Sequence, residues 1–163
     1  MNRKGFTMIE LLAVIIVLGL VFIIAFPNLT DAFKSGKLKA EEAFVNRVSE
    51  AVDSYVTLNS SNISFVSNGT ASKTYGGTKH SVNIDIGTIY VSNIISSGNI
   101  TAKDYKNPNN EKTTCNTNRP IEVYRDSDFV YCHKIPKTSI DCLTEEYKDK
   151  IEGDYVVDTC TWE

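Results

Sequence analysis

Four cysteines and two histidines are the residues of this chain with the clearest capacity for metal or redox chemistry. No two cysteines form the C-x-x-C pair that zinc ribbons and thioredoxin-like sites use. The adjacent Cys132 and His133 keep zinc open as an alternative, but the ligand spacing is irregular, so we predict no metal site. All the cysteines lie in the last third of the sequence; they are Cys115, Cys132, Cys142 and Cys160.

Other kinds of chemistry find little support in the spacing of the residues. Calcium needs several oxygen ligands, but the aspartates do not follow an EF-hand spacing, and aspartate is common in turns. The sequence has no G-x-S-x-G, H-E-x-x-H or phosphate-loop glycine string. Serine, histidine and aspartate are scattered, and nothing in the sequence supports a catalytic triad. We therefore predict no catalytic residues, no cofactor and no enzymatic activity.

The sequence consists of one apolar segment near its start and a polar remainder. Residues 11–26 contain no charged side chain, whereas the later sequence is rich in Asn, Ser, Thr and Lys. The chain has 163 residues and a net charge of −3. Because phosphate contacts need a basic surface, this balance argues against non-specific nucleic-acid binding, and we predict no specific nucleic-acid partner.

The apolar segment begins directly after a short basic leader and contains a carboxylate, Glu10. Phe6 to Phe26 is long enough for a transmembrane helix, and no convincing small-residue cleavage site of an ordinary signal peptide follows it. A carboxylate inside a bilayer segment costs about 2.5–3.5 kcal/mol on insertion scales. Glu10 is therefore a candidate functional residue, the alternative being an interfacial residue at the membrane edge.

The string from Arg3 to Glu10, Arg-Lys-Gly-Phe-Thr-Met-Ile-Glu, closely resembles the class III signal of type IV prepilins and pseudopilins. The specific resemblance covers about the first 30 residues, and the remainder matches only in general architecture. The resemblance implies that prepilin peptidase cuts between Gly5 and Phe6, that Phe6 is then N-methylated, and that Glu10 acts in assembly. Gly19 and Pro27 match the helix-breaking positions of the family's N-terminal helix, and we assign them to assembly as well.

An elementary electrostatic argument supports the role of Glu10. In an assembled filament its carboxylate can face the terminal amine of Phe6 on a neighbouring subunit. At an effective dielectric near 20, unit charges about 4 Å apart attract by roughly 4 kcal/mol. That attraction is comparable to the cost of burying the carboxylate, so the pair can set subunit register even if its net contribution is small.

The resemblance and the remaining sequence pattern together predict an α+β fold with four parts. These are a leader over 1–5, a transmembrane and assembly helix over 6–28, an amphipathic half-helix over 29–58, and a globular head over 59–163. Pro27 should kink or locally open the helix.

Within the head, residues 59–80 are expected to be a loop with turns at Asn68-Gly69 and Gly76-Gly77. Alternating apolar residues predict strands around Ile84 and Tyr155–Val157 and a hairpin around Asp126–Asp128, with strand or short helix around Ile94. Packing of the long helix on a small antiparallel sheet is implied by the resemblance.

The four cysteines predict two disulfides if the head is exported, as the basic leader favours. Three connectivities are possible. We favour Cys115–Cys132, across the predicted hairpin, and Cys142–Cys160, which would tie down the C-terminal tail.

The resulting prediction is a structural subunit, a major or minor pilin of a type IV pilus. Its expected partners are prepilin peptidase, other pilin subunits, an inner-membrane assembly platform and, before assembly, the lipid bilayer. It would lie in the cytoplasmic membrane with its C-terminal domain outside, and then in the extracellular filament. The alternatives are a pseudopilin of a type II secretion or DNA-uptake system, and a membrane-tethered binding module or enzyme.

Overall fold

The computed structural model describes residues 7–110 and 112–162, and the side chains of residues 25, 27 and 28 fall outside that description. One long helix is followed by a five-stranded antiparallel sheet, which confirms the predicted α+β class. In chain order the elements are α1 (Met8–Asn59), a 3-10 turn (Ser60–Asn62), β1 (Phe65–Tyr75), β2 (Thr78–Tyr90), α2 (Val91–Ser96), β3 (Pro120–Asp126), β4 (Tyr131–Pro136), α3 (Glu145–Asp149) and β5 (Tyr155–Asp158).

The chain divides into two compact units, Met1–Lys39 and Ala40–Glu163. In the described part of the chain, no single helix is long and apolar enough to cross a membrane. A bent pair of segments, Met8–Ile24 and Leu29–Asn62, meets the length and composition test together. The break between these segments falls on the interval that contains Pro27.

The second unit is built around the part of α1 that follows Lys39. Its apolar residues recur at spacings of three and four, so they form one face that packs on the sheet. Phe44, Val48 and Val52 are buried in one cluster with Ile121 and Ile135 of the sheet. The amphipathic pattern therefore predicts the core correctly, and α1 ends at Asn59, close to the predicted end.

The sheet has the strand order β1-β2-β3-β4-β5, so every strand pairs with its neighbour in sequence. The predicted hairpin is β3 and β4, and the predicted last strand is β5. The apolar patch around Ile94, for which strand and short helix were both open, forms the short helix α2.

The prediction of a loop over residues 59–80 is wrong, because Phe65–Tyr75 forms strand β1. β1 lies at the edge of the sheet and is mostly exposed, so it lacks the apolar alternation that marks a half-buried strand. Backbone pairing with β2 holds it instead. Gly76 and Gly77 form the predicted turn with positive φ, whereas Gly69 lies in a bulge between the paired residues Ser67 and Thr70.

Candidate functional site

The first turn of α1 is closed by three hydrogen bonds between Thr7 and Glu10, with donors on both residues. The Thr7 backbone N–H and hydroxyl each donate to Glu10 Oε2 at 2.9 Å, and the Glu10 N–H donates to Thr7 Oγ1 at 3.3 Å. This is a capping box, Thr-x-x-Glu, which satisfies backbone donors that have no partner inside the helix. Glu10 therefore has a local role that the sequence interpretation missed, although the Thr-Met-Ile-Glu string contains the signal.

The predicted cleavage and methylation residues, Gly5 and Phe6, lie outside the described residues. Gly19 lies within the unbroken segment Met8–Ile24, and a Cβ built there would meet nothing within 4 Å. The helix of the single chain is thus not interrupted at Gly19. The assembly roles of Gly19, Pro27 and Glu10 stay predictions.

The N-terminal part of α1 exposes apolar side chains on every side. Val14, the least exposed of the large ones, is still 49% exposed. Because a helix that is apolar all round requires cover by protein or lipid, this segment must be buried in the functional state. The exposed large apolar side chains in this part are those of Met8, Ile9, Leu11, Leu12, Val14, Ile15, Ile16, Val17, Leu18, Leu20, Val21, Phe22, Ile23, Ile24, Phe26, Leu29 and Phe33.

All four cysteines form disulfides, but the favoured connectivity is wrong. The pairs are Cys115–Cys142 and Cys132–Cys160. Cys132 lies opposite Tyr124 near the turn of the β3–β4 hairpin, whereas Cys115 precedes the other end of β3. The hairpin therefore separates the two cysteines that the sequence interpretation had joined.

The Cys115–Cys142 bond joins two loop segments, and both cysteines belong to the hydrophobic core cluster. Nearby, Asn107 Nδ2 donates to the carbonyl oxygen of Cys142, and the Tyr105 hydroxyl donates to the Ser139 carbonyl at 3.2 Å. Asn107 and Tyr105 are buried. The bridge and these hydrogen bonds together fasten the connection between α2 and β3 to the segment that follows β4.

The Cys132–Cys160 bond fixes the C-terminal tail on the sheet face that points away from α1, the outer face. Val82, Ile84 and Cys132 are buried there but do not belong to the main core cluster. Asp126 is also buried on this face, where its carboxylate is 2.6 Å from Lys73 Nζ. The Trp162 ring is also near the Lys73 ammonium, with 5.8 Å between the ring centroid and Nζ.

Two polar side chains of α1 meet a histidine of β4 that is distant from them in sequence. The Ser49 hydroxyl is 2.9 Å from His133 Nε2, and His133 Nδ1 is 2.9 Å from Asp53 Oδ1. Burial lowers the pKa of His133, although the carboxylates of Asp53 and Asp158 oppose this shift. A neutral imidazole that accepts from Ser49 and donates to Asp53 satisfies all three groups.

The order serine, histidine, aspartate matches a hydrolase triad, which the sequence spacing did not indicate. The surroundings do not suit that chemistry. Ser49 lies inside α1, where backbone N–H groups are used by intrahelical bonds and cannot form an oxyanion hole. His133 is only 1% exposed. We interpret the three residues as a buried link between α1 and the sheet.

A second polar link joins α1 to the C-terminal region. Glu41 is fully buried and accepts from the Thr144 backbone N–H at 3.0 Å and from the Thr144 hydroxyl at 2.7 Å. Thr144 also caps α3, because its hydroxyl oxygen accepts from the Tyr147 N–H. Thr144 is 103 residues from Glu41 in sequence, so only the tertiary structure reveals this contact.

Comparison with known proteins gives a family match at the N-terminus and one curated relative. Residues 1–26 match the model described as the prokaryotic N-terminal methylation motif. A ComG operon protein 3 homolog from Bacillus licheniformis is 38% identical over 55 residues, which is 34% of this chain. The match spans 57% of that relative's length. No solved structure matches the chain.

These matches confirm the resemblance that the first residues suggested. The motif covers Gly5, Phe6 and Glu10, and the described part of the chain continues with the long helix α1 and the five-stranded sheet. The chain therefore carries a class III signal, the prokaryotic N-terminal methylation motif, at the start of a pilin-like fold.

Proposed function

We propose that this chain is a structural subunit of a type IV pilus, processed by prepilin peptidase and polymerised through its N-terminal helix. The methylation motif at residues 1–26 is the observation that carries the proposal. The exposed apolar side chains between Met8 and Phe33 support it, because polymerisation would remove them from water. At about 25 cal/mol per Å² of apolar surface, this burial supplies a strong driving force.

The proposed division of labour follows the four predicted parts. Residues 1–5 are the leader that prepilin peptidase removes, and residues 6–28 anchor the subunit in the membrane before assembly and pack in the filament afterwards. Residues 29–58 connect this segment to the head, and residues 59–163 form the head at the filament surface. The partners would be the peptidase, other pilin subunits, the inner-membrane assembly platform and the lipid bilayer.

A second candidate is a pseudopilin of a DNA-uptake (competence) or type II secretion system. The relative named for the ComG operon favours this candidate. Both candidates use the same signal and the same assembly helix, so the N-terminal residues do not separate them. The size of the head and its four cysteines favour the pilus subunit, because secretion pseudopilins often have shorter globular parts with few cysteines.

The central test is mass spectrometry of the protein taken from cell envelopes and from sheared filaments. The expected mature chain begins at Phe6 and carries one added methyl group. A chain in sheared filaments that retains Met1 to Gly5 would refute the proposal. Deletion of the gene with imaging then separates the roles: loss of long surface filaments indicates a main pilin, and fewer filaments indicate a minor one. Intact filaments with lost DNA uptake or secretion indicate a pseudopilin.

A further inference from the structure

A cleft of about 310 Å³ lies beside α1 in the head, between the helix and the segment around residues 103–108. Ala43 and Phe44 line its helix side. Three cationic side chains surround it, those of Arg47, Lys103 and Lys106. The cleft is therefore a basic surface, although the chain as a whole is acidic. We call it the basic cleft.

The cations of the basic cleft are not neutralised by their surroundings. Within the described part of the chain, none of the three forms an ion pair. The one carboxylate that lines the cleft, that of Asp104, accepts a hydrogen bond from the Thr101 hydroxyl at 2.5 Å. The cleft thus presents three cations against one carboxylate, which leaves an excess of positive charge for a partner.

A surface of opposite charge lies on the same helix. Glu42, Glu50 and Asp53 are exposed on α1, and a repeat of 3.6 residues per turn places them within about 80° of one another. Arg47, the only basic residue of α1 after Lys39, points to the basic cleft instead. Asp53 remains 63% exposed although it contacts His133. We call these three carboxylates the acidic stripe.

We propose that the basic cleft of one subunit receives the acidic stripe of a second copy of this chain. This inference rests on the proposed function, since it describes how heads meet in a filament. The two surfaces occupy different sides of the same part of α1, so the contact is heterologous. A heterologous contact does not pair a surface with itself, and repeated it generates an open helical polymer.

The contact between the two charged surfaces should contribute mainly to specificity, by favouring the correct subunit register and the correct partner. Single ion pairs at a surface contribute little. Complementary sets of charges favour the correct encounter, and they penalise like-charge alignments strongly. The contact should therefore weaken as salt rises, because ions screen exposed charges beyond about 10 Å at 0.1 M.

The test compares charge reversals in the full-length protein expressed in its native host. One variant carries K103E and K106E, a second carries E42K and E50K, and a third carries all four changes. K79E in β2 and E152K before β5 are matched single controls at exposed positions away from both surfaces. The readout is the protein in the sheared filament fraction, divided by the protein in cells. Non-reducing electrophoresis checks that both disulfides have formed.

Each double reversal is expected to lower the filament fraction by about tenfold or more. The variant with all four changes is expected to recover most of the wild-type filament fraction. The controls should assemble like wild type. Double reversals that assemble normally, or a fourfold variant that shows no recovery, would overturn the inference while leaving the proposed function standing. Wild-type protein missing from filaments would instead overturn the proposed function, and the inference with it.

A second measurement does not depend on charge-reversed variants folding. A photo-crosslinking phenylalanine analogue replaces Ala43 in the basic cleft, and filaments are irradiated before digestion. The expected product joins this position to a peptide that contains Glu42, Glu50 or Asp53 of another copy. A crosslink to a different filament protein, or to another region of this chain, would contradict the inference.

Discussion

Cys132 of β4 and Cys160 beyond β5 stand directly across from each other on the extended β4–β5 ladder. The pairs Lys134–Asp158 and Ile135–Val157 fix the register, and the Thr159 N–H continues it by donating to the His133 carbonyl at 3.0 Å. The Cα atoms of the two cysteines are 5.1 Å apart, within the usual range for a disulfide. The bridge therefore secures the tail where ladder pairing would otherwise fray.

Removal of this bridge should free the C-terminal tail and expose Trp162. We expect C132S/C160S to shift the fluorescence emission of Trp162 to longer wavelength. The signal is specific because Trp162 is the single tryptophan. The bridge closes a loop with a sequence separation of 28, so chain entropy gives a stability loss of about 3.5 kcal/mol. C115S/C142S is the matched control, and it should lose similar stability without the spectral shift.

The disulfide connectivity itself can be checked by digestion without reduction. We expect one linked peptide pair that contains Cys115 and Cys142 and another that contains Cys132 and Cys160. A linked pair that contains Cys115 and Cys132 would support the connectivity favoured from the sequence and contradict the structure. Protein from the cell surface is the correct material, since reduction during purification permits exchange.

Local sequence signals predict the elements of this fold better than they predict its contacts. The helical spacing that includes Phe44, Val48 and Val52 identifies the buried face of α1, because one element contains the whole signal. The predicted disulfide connectivity was wrong because the pairing depends on strand register, and the spacing of cysteines along the sequence gives no information about that register. Strand β1 was missed because an exposed edge strand is held by backbone pairing.

The polar contacts between α1 and the rest of the head were likewise not predictable from local sequence. Ser49 and Asp53 are four residues apart on α1, a spacing that places them on one face, but His133 reaches them only through the fold. By contrast, the Thr7 and Glu10 capping box is local and follows a known four-residue pattern. The charge of Glu10 in an apolar segment predicts a role in assembly, but it does not by itself indicate this local hydrogen bonding.

The two roles of Glu10 can be separated by substitution. Gln at this position keeps the hydrogen bonds of a capping box but removes the charge, whereas Val removes both. If the carboxylate pairs with a neighbour's amine, E10Q and E10V should both reduce the filament fraction by about tenfold or more. If Glu10 only caps α1, E10Q should assemble normally and E10V should be impaired. Membrane-inserted protein of each variant is the control for insertion.

The buried ion pair between Lys73 and Asp126 should stabilise the outer face of the sheet. Their side chains are 13% and 0% exposed, and Asp126 Oδ1 also accepts from the backbone N–H groups of Asp128 and Val130. K73M leaves the Asp126 carboxylate buried without its cation, at a cost of about 3–5 kcal/mol. K73M/D126N should recover part of that loss. Urea unfolding of the detergent-solubilised mature chain measures both, and an unchanged midpoint for K73M would contradict the expectation.

The last prediction concerns the pH dependence of stability through His133. Burial holds its pKa below the usual value of 6.5, against the opposing carboxylates of Asp53 on α1 and Asp158 on β5. The folded protein thus keeps the imidazole neutral in a range where the unfolded chain binds a proton. Stability from this residue is full above about pH 6.5 and is lost as pH falls below it, by at most about 1.4 kcal/mol per pH unit.

We therefore expect H133Q to be less stable than wild type at pH 7.5 because it disturbs the bonds to Ser49 and Asp53. The difference between the two proteins should shrink as pH falls toward 5, because only the wild type carries this proton-linked loss. Urea midpoints at several pH values give the comparison. H80Q, which changes the exposed histidine of β2, is the matched control and should keep the wild-type slope. An H133Q slope equal to that of wild type would show that His133 does not remain neutral in the folded protein.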